Sequence, residues 1–251
     1  ADIQLKNYLN ASYGFVISGY GSTSPITAYG DLSITSTGLS SVGYGLIYLS
    51  SALTSTTGNI SLTATSTSSA STTNPGVKSS STGTITANSG SITINSTSNA
   101  SIAVDLAGAI SAKSISITGT GTTASTIVSL GAMTIVSGGS NLSVTANNTS
   151  AGSNTGITQT GTITDNASGG SISFASNNSI NQTGAISLAA NQSGLDSEVT
   201  YDTSNGNKTS TITSGALTVS AGSTSLVNYF IKASGSTVTA GAVSVPGSVT
   251  Y

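Results

Sequence analysis

The chain of 251 residues is 36% hydrophobic but only 5% charged, where an ordinary soluble protein carries about 25% charged residues, and its formal net charge is -2. Five Lys and no Arg supply no basic surface for nucleic acid; the absence of His, Cys and Trp removes most general bases, metal ligands and thiols, so neither an enzyme nor a cofactor is expected. More than a third of the residues are Ser or Thr, yet Pro numbers only 3, which points to a packed body with a hydroxyl-covered exterior and away from a disordered stalk.

In chain order, residues 1–29 come first, rich in aromatics and apolar runs. They read as an N-terminal cap or assembly segment, with Tyr8, Tyr13, Phe15, Val16 and Ile17 as candidate assembly contacts. Neither Phe15-Val16-Ile17 nor Leu46-Ile47-Tyr48-Leu49 approaches the ~20 apolar residues of a membrane helix, so no membrane span is expected.

Residues 30–225 carry a recurring unit: Gly, a small or polar residue, an apolar residue, Ser or Thr, and a second apolar residue. It begins at Gly30, Gly58, Gly90, Gly131, Gly170, Gly184, Gly215 and, beyond this body, Gly241, with weaker copies at Gly83, Gly108 and Gly161. Alternation of period two puts the apolar side chains on one face and the hydroxyls on the other, so each unit is a short half-buried strand. The leading Gly permits a positive φ at a sharp corner. Ile102–Leu106, Ser114–Ile117 and Asn141–Val144 alternate without the Gly and read as further strands. No stretch holds apolar residues at helical spacing, so almost no α-helix is expected. Units about five residues long at uneven intervals favour a parallel β-solenoid, a single elongated rod, over a β-sandwich. With about 20 to 25 residues per coil, the chain makes about ten to twelve turns and a rod roughly 50 to 60 Å long.

Several side-chain groups within the body invite a functional reading. Threonines two apart, as in Thr63-Ala64-Thr65, Thr82-Gly83-Thr84 and Thr162-Ile163-Thr164, would bind ice if they formed rows on a flat face. Strand propensity alone also produces such pairs, and in the sequence they do not recur once per coil. Asp196, Glu198 and Asp202 form the one acidic cluster, but without the Gly/Asp rhythm of calcium-binding β-rolls it reads as a solvated loop, and no metal is assigned. Asn-x-Ser/Thr sequons, at Asn59, Asn95, Asn141 and Asn181 among others, only modestly exceed what this composition yields by chance.

Residues 226–251 return to aromatics and read as a C-terminal coil and cap or assembly segment. Val227, Tyr229, Phe230 and Ile231 are the candidate contacts for a neighbour's Ala11–Gly19. The end of a solenoid has strand edges free to pair, and a head-to-tail contact that does not close makes a filament, so the expected partner is a second copy of the chain.

The Gly-small-apolar-Ser/Thr-apolar units with Asn, Ala and Ser turns over residues 30–245 resemble the filamentous haemagglutinin-like repeats of bacterial adhesins exported by two-partner secretion. That resemblance implies a right-handed parallel β-helix, secretion to the cell surface, and adhesion or biofilm roles, with host or surface glycans as further partners. Two alternatives stand beside the structural rod: a glycan- or ice-binding surface module, and a glycosylated donor-strand pilus or thread subunit with a β-sandwich fold.

Overall fold

The computed structural model describes residues 3–7, 15–17, 25–38, 46–66, 75–99, 102–122, 126–149, 155–189, 196–204, 210–220, 227–232, 237–244 and 249–250. Among them there is no helix, and every strand pairing is parallel. The strands form three sheets of ten, nine and nine members. The chain visits the sheets in rotation. Ile3–Asn7 lies in the first, Phe15–Ile17 in the second and Ile26–Ala28 in the third, before Leu32–Gly38 returns beside Ile3–Asn7. Each circuit is one coil. Nine coils stack before Val249–Thr250 opens another, and the body is a parallel β-solenoid. Stacked parallel coils exclude the β-sandwich considered from the sequence, whose sheets would be antiparallel and packed face to face.

The coils are longer than expected. The register steps from Leu32 to Ile60, Ile92, Ile115, Leu142 and Ile172, so single coils take from 23 to 32 residues in this stretch. At ~4.8 Å per coil the nine coils make a rod of roughly 45 Å, shorter than the expected one. The recurring unit misled on this point because it occurs at two different corners of the coil, and in some coils at both. Gly30, Gly58, Gly90 and Gly170 lead into the first sheet, while Gly83, Gly108, Gly131, Gly161, Gly184, Gly215 and Gly241 lead into the third. Gly83 and Gly90, seven residues apart, therefore belong to successive strands of different sheets.

Period-two alternation builds the core as expected. Leu32–Gly38 and Ile60–Ser66 bury every second residue without a break. Stacking in register turns those residues into columns along the axis. One runs Leu32, Ile60, Ile92, Ile115, Leu142, Ile172 and Val199; its neighbour runs Ile34, Leu62, Ile94, Ile117, Val144, Phe174 and Tyr201. All are at most 1% exposed. The next inward position holds only Ser36, Ala64, Ser96, Gly119, Ala146 and Ser176, because the first sheet meets the second there. A Cβ on Gly119 would lie 3.2 Å from Ile127 Cγ2 and closer still to Val128.

The leading glycines do not serve the purpose read from the sequence. Among the described residues positive φ occurs only at Gly138 and Gly169, neither of which leads a unit. The leading glycines are required for close approach. A Cβ on Gly108 would strike the backbone of Gly83, one on Gly184 that of Gly161, one on Gly215 that of Gly184 and one on Gly241 that of Gly215. Gly58 and Gly90 stand in the same relation to Gly30 and Gly58 at the other corner. Gly184→Ala is therefore expected to destabilise the rod by about 2 kcal/mol or more through overpacking against backbone. Gly138→Ala, whose Cβ meets nothing within 4 Å, should cost only the roughly 1 kcal/mol of a left-handed residue. Urea unfolding of both variants checks the order, and equal or reversed losses would contradict the close-approach account.

Candidate functional site

Stacking glycines at a corner leaves their backbone N–H groups facing the interior, where each needs an acceptor. A buried seam along the inner edge of the second sheet helps to provide it. The inward column there runs Leu49, Ser79, Leu106, Leu130, Gln159 and Gln182. Ser79 Oγ accepts from Gly108 N–H at 3.1 Å, and Gln182 Oε1 from Gly215 N–H at 2.8 Å. Gly131 N–H goes instead to the Leu106 carbonyl at 2.8 Å. Gln182 donates to Gln159 Oε1 at 2.9 Å, and Gln159 donates to the Gly131 carbonyl at 3.0 Å. Gln182 also donates to the Gly184 carbonyl and Gln159 to that of Gly161. Both glutamines are fully buried and fully engaged, so the seam is structural. It went unnoticed in the sequence, although Gln159 sits two residues beyond Ile157 and thus in the inward phase.

The seam joins an aromatic column. Phe174 and Tyr201 stack at 5.4 Å and 14°, and Tyr229 tilts against Tyr201 at 5.8 Å. Tyr201 donates to Gln182 Oε1 at 2.7 Å and Tyr229 to Ser214 Oγ at 2.6 Å. Burial and the neighbouring Tyr229 push the Tyr201 phenol well above its ordinary range, so it is a permanent donor.

The candidate assembly contacts separate into distinct groups. Tyr8 and Tyr13 lie outside the described residues. Phe15–Ile17 is a strand paired with Ile47–Leu49. Val227 and Tyr229 point into the core, Phe230 points outward and is 40% exposed, and Ile231 packs against the core edge. At this end the strands Thr237–Thr239 and Val243–Ser244 are the last of the second and third sheets. A cavity of about 330 Å³ opens there, lined by Tyr229, Ile231, Ala240, Gly241 and Val243.

The acidic side chains are dispersed. Asp202 accepts from the Ser204 N–H and hydroxyl at 2.8 and 2.5 Å, which hold its carboxyl below the usual range; Glu198 accepts from Thr200 at 2.7 Å. Among the described residues no three potential ligands gather to hold a metal ion, and no helix is long and apolar enough to cross a membrane. Asp165 is different. It occupies an inward position between Ile135 and Leu188, and its carboxyl accepts a hydrogen bond from Ala167 N–H at 2.8 Å. Loss of solvation lifts its pKa to about 6 against that opposing bond.

No protein-family model, curated protein or solved structure matches the chain. The fold defines its class as a three-sheet parallel β-solenoid.

Because folded Asp165 holds its proton more tightly than the unfolded chain, the cost of charging it is absent below the ordinary value of 3.8 and is fully present above about pH 6. Asp165→Asn should therefore melt at a higher temperature than the parent at about pH 8 and together with it at about pH 3.5. Melting curves at the two pH values check this, and a difference independent of pH would refute it.

Proposed function

We propose that this chain is a secreted structural and adhesive element, a β-solenoid rod that serves as a subunit of a surface filament or as a segment of a larger, filamentous haemagglutinin-like adhesin. One observation carries the reading: parallel pairing runs through all three sheets over nine coils, with a register shift in the second sheet between Thr155 and Ile157, and among the described residues each sheet ends on a strand with a single neighbour. Ile3–Asn7, Phe15–Ile17 and Ile26–Ala28 form one set of edges; Thr237–Thr239 and Val243–Ser244 belong to the other. A copy set on top in the same orientation continues every sheet, and such a heterologous contact repeats without closing. In a longer adhesin the same edges take the next coil of the same polypeptide. The cavity at Tyr229, Ile231 and Val243 is where the interior columns of that next coil, from either source, would seat.

The remaining chemistry suits an exposed, durable rod. Its cohesion comes from aliphatic columns and backbone ladders, with no disulfide or metal needed. Trypsin has few targets: the chain has no Arg, and Lys78 lies within a strand while Lys113 lies beside one. Adhesion to host or surface glycans would then fall to the outer faces and the loops between strands.

The end-to-end form is tested by sedimentation velocity and negative-stain microscopy over a range of concentrations. Rods should lengthen in multiples of the single unit as concentration rises, and Val243→Asp, at the rim of the end cavity, should keep them single. Rods that remain single at every concentration would sink the filament form, and lengthening that ignores Val243→Asp would place the contact elsewhere.

A further inference from the structure

We propose that the outer face of the first sheet is an ice-binding surface. The inference is independent of end-to-end assembly and rests on rows that appear only once the strands are in register. One row runs Thr35, Thr63, Asn95, Thr118 and Thr145; the next, two residues along each strand, runs Thr37, Thr65, Thr97, Thr120 and Asn147. Thr therefore fills eight of ten positions over five successive coils, as a pair in three of them and beside Asn95 or Asn147 in the other two. A third row, Ser33, Ser61, Thr93, Ser116 and Ser143, flanks the first with hydroxyls throughout. Uneven coil lengths scatter these pairs along the sequence, which is why they show no period there. The pair Thr162 and Thr164 lies at the third sheet and contributes nothing to the array.

The geometry favours a two-dimensional lattice as ligand. Adjacent coils place equivalent side chains ~4.8 Å apart along the axis, and residues i and i+2 place the rows ~6.7 Å apart across it. Rows of water oxygens on a prism face of hexagonal ice repeat at closely similar distances in two perpendicular directions. Threonine's branched Cβ restricts χ1, so the hydroxyls and methyls of a row share an orientation before any ligand arrives, and little side-chain entropy is lost on binding.

Hydrogen bonding and charge support the same ligand. The column at the start of these strands bonds to itself along the axis: Asn59 Nδ2 donates to Asp31 Oδ1 at 3.2 Å, and Ser91 Oγ donates to Asn59 Oδ1 at 2.9 Å. In the two Thr rows no threonine hydroxyl bonds to another described residue, and all eight threonines are partly exposed. No ionisable group stands in either row between Lys6, one coil before Thr35, and Asp202, two coils beyond Thr145. That neutrality disfavours a phosphate or lipid headgroup, which would call for cations. The five strands of the array carry no aromatic ring among their described outward residues, and Phe230, on the same face, lies three coils beyond Ser143, so a sugar has no ring to stack on within the array, which sets ice ahead of a crystalline polysaccharide.

The test is nanolitre osmometry of the purified chain, read as thermal hysteresis and as faceting of a single ice crystal. Thr63→Tyr and Thr118→Tyr place a bulky ring in the middle of the array; Thr134→Tyr places one on the outer face of the third sheet. All three point outward, and unchanged melting curves would show that they fold. The parent and Thr134→Tyr should facet ice and give equal hysteresis, with a several-fold loss in the two face variants. Round, freely growing crystals with the parent would overturn the proposal, as would equal losses in all three variants. Binding to crystalline chitin or cellulose that depends on Thr63 and Thr118, without hysteresis, would overturn it in favour of a polysaccharide.

Discussion

The distance between coils constrains everything else in this rod. Parallel ladders hold successive coils at ~4.8 Å, so a corner must let one backbone lie directly on another. At the third-sheet corner a Cβ would strike the coil below at successive positions, and from Gly83 to Gly241 the corner is filled by a stack of glycines. Close approach then creates a second demand. The N–H groups of the stacked glycines are withdrawn from water, and those not taken by a carbonyl must find an acceptor inside the core. Ser79 and Gln182 supply that acceptor to Gly108 and Gly215 from inside the core. The polar seam is thus a consequence of the glycine stack.

The same constraint shapes the interior. Because inward positions lie above their counterparts in the coil below, each side chain packs on the one beneath it. The column through Ile34 stays aliphatic as far as Val144 and then becomes Phe174 and Tyr201. A ring in one coil is best covered by a ring in the next, and Phe174 on Tyr201 at 14° is that solution. Once Tyr replaces Phe, a buried hydroxyl needs a partner, and Gln182 on the adjoining sheet supplies it at 2.7 Å. Aromatic column and glutamine seam meet where each satisfies the other.

Much of this was legible in the sequence because strand parity is local. Apolar and hydroxyl residues alternate from Ile60 to Ser66, and that fixes which side chains face inward whatever the strand pairs with. Register is not local. The step from Ile60 to Ile92 is 32 residues and the next, to Ile115, is 23, since the segments between strands vary while the strands do not. Gly83 and Gly90 carry one motif but belong to different corners, so reading the motif as one repeat shortened the inferred coil. The glycines looked like turn residues because a sequence shows a missing Cβ without showing what would have struck it.

Fixed strands joined by uneven segments also explain how chemistry can concentrate on one face. Each coil has the same inward requirements, so the aliphatic columns and glycine corners leave little choice of residue. The outward positions of the first sheet are free of those requirements, yet the ladders hold them in straight rows as strictly as the core. Any side chain repeated there becomes a lattice, whatever the length of the intervening loops. Ser and Thr at those positions need only strand propensity and solubility to be favoured. Restriction of those positions to uncharged Ser, Thr and Asn over five coils, with Thr at eight of ten places in two rows, goes beyond those two demands, because Lys, Glu or Tyr would satisfy solubility or strand geometry equally well on an outer face.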